Sequence, residues 1–142
     1  MDMKEDKIIA SIIIATYNGS KFIKEQLESI YKSIEYTNSL YEFEVVIVDD
    51  YSTDNTCSIL NSLRDIYHFK LFFNNRNLGH NGSFEKAINL SKGEILILSD
   101  QDDIWPVDRL QLMLSCLEKR KAAGIIGSFT AFRDSLIIKN KN

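Results

Sequence analysis

The chain has 142 residues, 44% hydrophobic and 26% charged, with 17 Lys and Arg against 20 Asp and Glu for a net charge of −3 at pH 7. A chain of this length buries roughly two-thirds of its unfolded surface, enough for one core without metal or disulfide staples, so a single domain over residues 1–142 is expected. The slight acidity argues against a general affinity for nucleic acid or anionic lipid, the apolar content argues against disorder, and no run approaches the ~20 apolar residues of a membrane span.

In chain order, Ile8 to Ala15 is a near-continuous, β-branched apolar run. Such a run predicts a strand buried on both faces, since a strand with one wet face alternates. Ile23, Leu27, Ile30 and Ile34 follow at helical spacing, then a second strand over Glu44 to Val48. Thr56, Ile59, Leu60, Leu63 and Ile66 predict a second helix, and Lys70 to Phe73 a short third strand. Phe84, Ala87 and Ile88 mark a third helix, Glu94 to Leu98 a fourth strand, and Leu110, Met113, Leu114 and Leu117 a fourth helix. Gly124 to Phe132 offers one more strand. Strands alternating with helices require right-handed crossovers. The expected fold is therefore α/β, a Rossmann-like, doubly wound, mostly parallel sheet with helices on both faces.

Local signals refine the boundaries. Ser20 and Thr53 or Asp54 are suited to N-cap a helix, Pro106 to sit in a first turn, and Gly93 to end the third helix as a left-handed residue. Cys57 and Cys116 fall within apolar helical patterns and read as buried free thiols, consistent with a reducing cytoplasm. Tyr31, Tyr36, Tyr41, Phe43, Tyr67, Phe69, Phe72 and Phe73 read mainly as packing residues. Trp105 suits either a ligand wall or an anchor for the loop at Asp103.

In an open parallel sheet, ligands bind beyond the carboxyl ends of the strands, where helix N-termini and loop amides converge. Every polar cluster of this chain follows a strand: Thr16-Tyr17-Asn18-Gly19, Asp49-Asp50, Asn74 to Gly79, and Ser99-Asp100-Gln101-Asp102-Asp103. Three carboxylates in four residues repel one another unless a cation or hydrogen-bond donors neutralise them. A hard divalent ion does this while keeping positions for water and substrate phosphate. The same run also reads as a solvated loop capping the helix behind Pro106. Asp49 and Asp50 are expected to emerge together at the ligand edge, where one would accept hydrogen bonds from a ring N–H or a sugar hydroxyl; helix capping is the alternative, above all for Asp54. Thr16, Tyr17 and Asn18 suit stacking on a planar base and hydrogen bonding to its edge. Asn77 to Gly82 reads as a flexible turn ahead of a helix whose amides suit a phosphate, although such turns also occur without ligands. His80 in that turn reads as an exposed loop histidine, with metal ligand or general base as the alternatives.

Taken together, Ser11 to Asn18, Val46 to Asp54, Asn77-Leu78-Gly79 and Ser99 to Trp105 resemble the family 2 glycosyltransferases, over about Ile8 to Phe132. The Asp-Gln-Asp-Asp-Ile-Trp wording is similar to the rhamnosyltransferase-like branch that builds bacterial surface polysaccharides. The resemblance implies a GT-A fold, a nucleotide-diphosphate-sugar donor, a divalent metal (Mn or Mg), and a saccharide or lipid-linked saccharide acceptor. It implies a cytoplasmic location, at the inner face of the membrane, with no transmembrane segment. Carried residue by residue, it implies that Thr16 and Tyr17, with Asn18, line the nucleoside pocket and that Asp50, with Asp49, binds the base. Gly79 and Asp103 would complete the donor site, Asp100 would lie near the ribose or sugar and the metal, and Asp102 would be the principal metal ligand. The implied chemistry is inverting: a base-activated acceptor hydroxyl displaces the nucleoside diphosphate while the metal stabilises the leaving group.

Two departures qualify the resemblance. Many members carry Ala-Arg-Asn after the Asn-x-Gly turn, whereas Ser83-Phe84-Glu85 stands here, so diphosphate contacts are expected from the metal, Arg76 or Lys86. The family's acceptor-binding half and its carboxylate base lie well beyond the donor motifs, and this chain stops at Asn142. No catalytic base is therefore assigned, and the isolated chain is expected to bind donor but to transfer weakly or not at all. An apolar edge left uncovered would favour self-association or a partner chain. Two rival readings remain: a non-catalytic nucleotide-binding module, which transfer dependent on Asp134 would refute, and a metal-dependent phosphohydrolase built on Asp100 and Asp102.

Overall fold

The computed structural model describes residues 7–37, 40–120 and 136–138. The elements run β1 (Ile8–Thr16), α1 (Ile23–Tyr36), β2 (Tyr41–Asp49), α2 (Thr56–Tyr67), β3 (Lys70–Phe73), α3 (Gly79–Leu90), β4 (Ile95–Asp100), α4 (Arg109–Arg120) and β5 (Leu136–Ile138). They form one sheet in the order β3-β2-β1-β4-β5. The first four strands are parallel, and β5 pairs antiparallel with β4. The expected strand over 124–132 lies outside the described residues.

The continuous apolar runs fill two cores because successive side chains of a strand point to opposite faces. On one face Ala10, Ile12 and Ile14 of β1, Val45 and Ile47 of β2, and Ile95 and Ile97 of β4 pack under Ile23, Leu27 and Ile30 of α1, Leu60 and Leu63 of α2, and Leu110 and Leu114 of α4. On the other face Ile13, Ala15, Val46 and Val48 meet Phe84 and Ala87 of α3. The doubly wound α/β arrangement, with helices on both faces, follows as the sequence implies.

Several local expectations are corrected. Ser20 does not cap α1: the helix starts at Ile23 behind Phe22, and the Gly19 carbonyl accepts the Phe22 and Ile23 amides, each at 3.0 Å. Neither Thr53 nor Asp54 stands at the N-cap of α2, a position held by Asn55. Pro106 precedes α4, and its carbonyl accepts the Arg109 amide at 3.1 Å. The Asn77 to Gly82 stretch is not a turn from end to end, because α3 already begins at Gly79, where φ is +80°. Tyr36 and Phe73 are exposed, and both cysteines are half-buried free thiols.

Gly93 does not close α3 in a left-handed conformation: the helix ends at Leu90 with Ser91 extended, and Gly79 is the positive-φ glycine among the described residues. Its role is close approach. The Gly93 amide donates to Ser11 Oγ at 2.8 Å, and Ser11 Oγ in turn donates to Glu44. A Cβ built on Gly93 would stand 2.3 Å from Ser11 Oγ and 2.7 Å from the Ser11 backbone nitrogen. Strand atoms cannot yield as a flexible side chain would. Gly93→Ala should therefore lower stability by about 1–3 kcal/mol, the usual cost of overpacking, read as a lower urea midpoint at unchanged m-value.

Candidate donor site

Level strand ends build the site. Thr16 pairs with Asp49, and Ala15 with Asp100, so the loops after β1, β2 and β4 leave the sheet side by side. There they enclose a cavity of about 540 Å³ lined by Ala15, Thr16, Tyr17, Asp50, Asn77, Gly79, His80, Ser83, Asp100, Gln101 and Asp102. Of the residues singled out from sequence, Thr16, Tyr17, Asp50, Gly79, Asp100 and Asp102 line it, whereas Asn18, Asp49 and Asp103 do not.

Asp49 departs from the expectation that both carboxylates emerge. It is fully buried, and it accepts hydrogen bonds from Thr16 Oγ1 at 2.7 Å, the Ser52 amide at 2.9 Å, Ser52 Oγ at 2.6 Å and Cys57 Sγ at 3.2 Å. Burial and the Asp49 carboxylate together push the Cys57 thiol up to about 11, which keeps it protonated and unreactive.

Asp50, one residue on, faces the opposite way. Its Oδ1 accepts the Leu78 amide at 2.6 Å and Asn74 Nδ2 at 3.0 Å, and its Oδ2 accepts the Gly79 amide at 3.0 Å. Both amides are free N–H groups at the start of α3, so the carboxylate occupies the place an anion takes at a helix N-terminus. Burial raises the Asp50 carboxyl, but these donors outweigh it and hold the group below the usual range. Gly79 likewise has its amide engaged, by Asp50 and by Asn77 Oδ1 at 3.0 Å.

Asn18 is the second correction. With φ +48° it turns its side chain toward α2, where Oδ1 accepts the Thr53 amide at 2.8 Å, while its own amide donates to Ser52 Oγ at 2.9 Å. Gly19 and Ser20 continue this seam, donating to Thr56 Oγ1 and Asp54 Oδ2. On the other flank the Tyr17 amide donates to Gln101 Oε1 at 2.7 Å, and Gln101 Nε2 returns to the Tyr17 carbonyl at 2.9 Å. A Cβ at Gly19 would lie 2.6 Å from Gln101 Oε1, so the glycine leaves room for this clamp. The Tyr17 backbone is thus fixed while the residue, 46% exposed, lines the cavity.

The acidic run after β4 divides. Asp100 and Asp102 line the cavity, whereas Asp103 does not, and its charge acts on Arg109. Arg109 lies 4.7 Å over the Trp105 ring, and burial lowers it to about 10 against the pull of Asp103. Trp105 is an anchor, not a ligand wall: it is 3% exposed, its amide donates to Ser29 Oγ and its Nε1 to Ser99 Oγ.

The contributors that sequence reading missed are polar residues on apolar elements. Gln26 of α1 donates to Ser99 Oγ at 3.1 Å and to the Asp100 carbonyl, and Ser33 Oγ accepts the Leu110 amide. Gln26, Ser29 and Ser33 recur at spacings of three and four, a polar stripe on a helix face that is otherwise apolar, which is the signal that would have revealed them. Asn74, 5% exposed, joins Asp50, Ser83 Oγ and Lys86 Nζ. Lys86 is thereby turned to Asn74, and neither it nor Arg76 lines the cavity. His80 does, from the first turn of α3 and not from a loop.

Asp54 ties the α2 start to Thr56 and Ser20. These donors overcome the effect of burial and bring its carboxyl from 3.8 to about 2. With the folded value below the unfolded one, this stabilisation is complete above about pH 4 and is lost as pH falls toward 2, and Asp50 acts in the same direction. Urea titrations between pH 6 and 2.5 should show stability falling below pH 4, and Asp54→Asn should flatten that fall.

The family model "Glycosyl transferase family 2" matches residues 11–141. The Escherichia coli UDP-Glc:alpha-D-GlcNAc-diphosphoundecaprenol beta-1,3-glucosyltransferase WfgD is 27% identical over 133 residues, 94% of this chain and 50% of that protein. Among solved structures, Staphylococcus aureus TarS 1-349 in complex with UDP superposes with a TM-score of 0.71 at 30% identity, over 82% of this chain and 34% of that one. The Pyrobaculum calidifontis mannosyltransferase PcManGT in complex with GDP-Man and Mn2+ gives 0.72 at 28% identity, over 81% and 34%. This chain spans half or less of the length of each. With a GT-A-type sheet, a polar cavity at its carboxyl edge and a family match running from β1 past β5, the chain belongs to glycosyl transferase family 2.

Proposed function

We propose that the cavity holds a nucleoside-diphosphate-sugar donor, its nucleoside beside Tyr17 and Asp50 and its diphosphate beside Asp100 and Asp102. The protein would transfer that sugar, with inversion, to a saccharide or lipid-linked saccharide acceptor in bacterial surface polysaccharide synthesis. One observation carries the reading: an exposed tyrosine after β1, a carboxylate after β2 and two carboxylates at the end of β4 share one cavity of about 540 Å³. That volume is within the range of small-molecule sites.

The donor set fits a divalent ion. Among the described residues lining the cavity there is no lysine or arginine to meet a diphosphate, and Asp100 and Asp102 supply hard oxygens. No group of three His, Cys, Asp or Glu among the described residues closes into a metal cage. An open arrangement is what Mg2+ or Mn2+ needs in order to keep waters and substrate phosphates. Bound there, the ion would neutralise charge developing on the leaving diphosphate.

The chain's own residues do the rest. Gln101 holds Tyr17 so that its ring is presented to a base, and Asp50 remains a charged acceptor for a ring N–H or ribose hydroxyl. Asp50, Asp100 and Asp102 are taken up by donor and metal, so the base that deprotonates the acceptor is a carboxylate outside this set. The reading supports a cytoplasmic enzyme working at the membrane's inner face, where a lipid-linked acceptor would be met.

Calorimetric titration with UDP, GDP and dTDP, with and without Mn2+, tests this. Mn2+ should tighten binding of the preferred nucleotide at least about tenfold, worth roughly 1.4 kcal/mol. Asp102→Ala should abolish that gain without moving the thermal midpoint, since Asp102 is exposed. Equal metal-independent binding in both proteins would remove Asp102 from its role. Tyr17→Ala should weaken binding by roughly 1–3 kcal/mol whether or not metal is present, as loss of base stacking does.

A further inference from the structure

Gln26 of α1 is fully buried, and its amide makes hydrogen bonds from one end only. Its Nε2 donates to Ser99 Oγ at 3.1 Å and to the Asp100 carbonyl, whereas among the described residues its buried Oε1 accepts no hydrogen bond. A buried acceptor left unmet is destabilising. Neither partner needs the amide for its own satisfaction: Ser99 Oγ also accepts Trp105 Nε1 at 3.1 Å, and the Asp100 carbonyl also accepts the Asp103 amide at 3.2 Å. An unbranched apolar side chain in place of Gln26 would remove the unmet acceptor and leave both partners bonded. Stability therefore does not account for the amide.

What the amide controls is direction. The Asp100 carbonyl belongs to the peptide that joins Asp100 to Gln101, and it closes the turn to Asp103 that contains Asp102. Gln101, on the other side of that peptide, commits both of its amide atoms to the Tyr17 backbone. One donor from α1 thus orients the peptide from which two cavity carboxylates and the Tyr17 clamp extend. We propose that Gln26 is a positioning residue of the donor site: without lining the cavity, it holds the Asp100 to Asp103 turn and the Gln101 clamp in the geometry that a nucleotide meets. Its consequence for binding rests on the donor-site reading above. Supporting hydrogen bonds of this kind hold site residues in place, and a turn freed of one has to be ordered again when a ligand binds.

Gln26→Met keeps an unbranched side chain and removes both polar ends. Amide hydrogen exchange on the ligand-free chain should show the Tyr17 and Asp103 N–H groups exchanging about tenfold faster in Q26M, with the interior amides of β1 and β2 unchanged. Titration with UDP and GDP in the presence of Mn2+ should show the preferred nucleotide bound about tenfold more weakly by Q26M, at a thermal midpoint equal to or above that of the wild type. Ser33, on the same helix face, accepts the Leu110 amide through Oγ and serves as the contrast. S33A should lower the midpoint and leave nucleotide affinity within about twofold. Wild-type affinity in Q26M, unchanged exchange at Tyr17 and Asp103, a lowered Q26M midpoint, or the same binding loss in S33A would each overturn the proposal. A wild type that binds neither nucleotide overturns the donor-site reading and the binding role of Gln26 together, and exchange at Tyr17 and Asp103 then reports separately whether Gln26 holds the turn.

Discussion

The parallel register of β1 with its two neighbours is the constraint on which the rest of the structure depends. β1 is hydrogen-bonded on both sides, and Thr16 pairs with Asp49 while Ala15 pairs with Asp100. Because side chains alternate along a strand, a slip of one residue would exchange the two cores and turn each terminal carboxylate to the other face. The apolar residues of β1, from Ala10 to Ala15, are all buried, which makes such a slip prohibitive. The same burial that stabilises the sheet therefore aims the acidic residues at its edge.

That edge is then locked by hydrogen bonds between loops. Asn18 and Ser20 join the first loop to the second, Gln101 joins it to the fourth, and Asp50 reaches the start of α3. Behind them Gln26 and Ser29 hold Ser99 and the Trp105 amide. Site residues held in this way are preorganised, so little ordering is left to oppose ligand binding. The consequence is a division of labour within each motif: Asp49 with Asn18 fixes the loops, and Asp50 with Tyr17 faces the cavity. Similarly, Asp103 acts on Arg109 while Asp100 and Asp102 remain on the cavity wall.

Among the described residues lining the cavity there is no lysine or arginine. Lys86, a candidate for meeting the diphosphate, is bound to Asn74, which itself holds Asp50. Under the proposed reading, positive charge beside a bound diphosphate would come from an ion held by Asp100 and Asp102 on the cavity wall.

The alternation of apolar runs and helical spacings was enough to read β1 through α4 and the face-on-face layering, because burial on both sides leaves an uninterrupted hydrophobic signature. It was enough, too, to place Tyr17, Asp50, Asp100 and Asp102 at one edge, since parallel strands all end there. It could not separate Asp49 from Asp50: adjacent residues on a strand point to opposite faces, and which face holds the cavity depends on where α3 packs. The polar stripe of α1 is visible as a spacing of three and four, but what it holds, and the Tyr17 to Gln101 clamp between residues 84 positions apart, were decided by tertiary contacts. Whether a glycine serves a turn or a close approach, as at Gly93, is likewise settled by the strand that passes beside it.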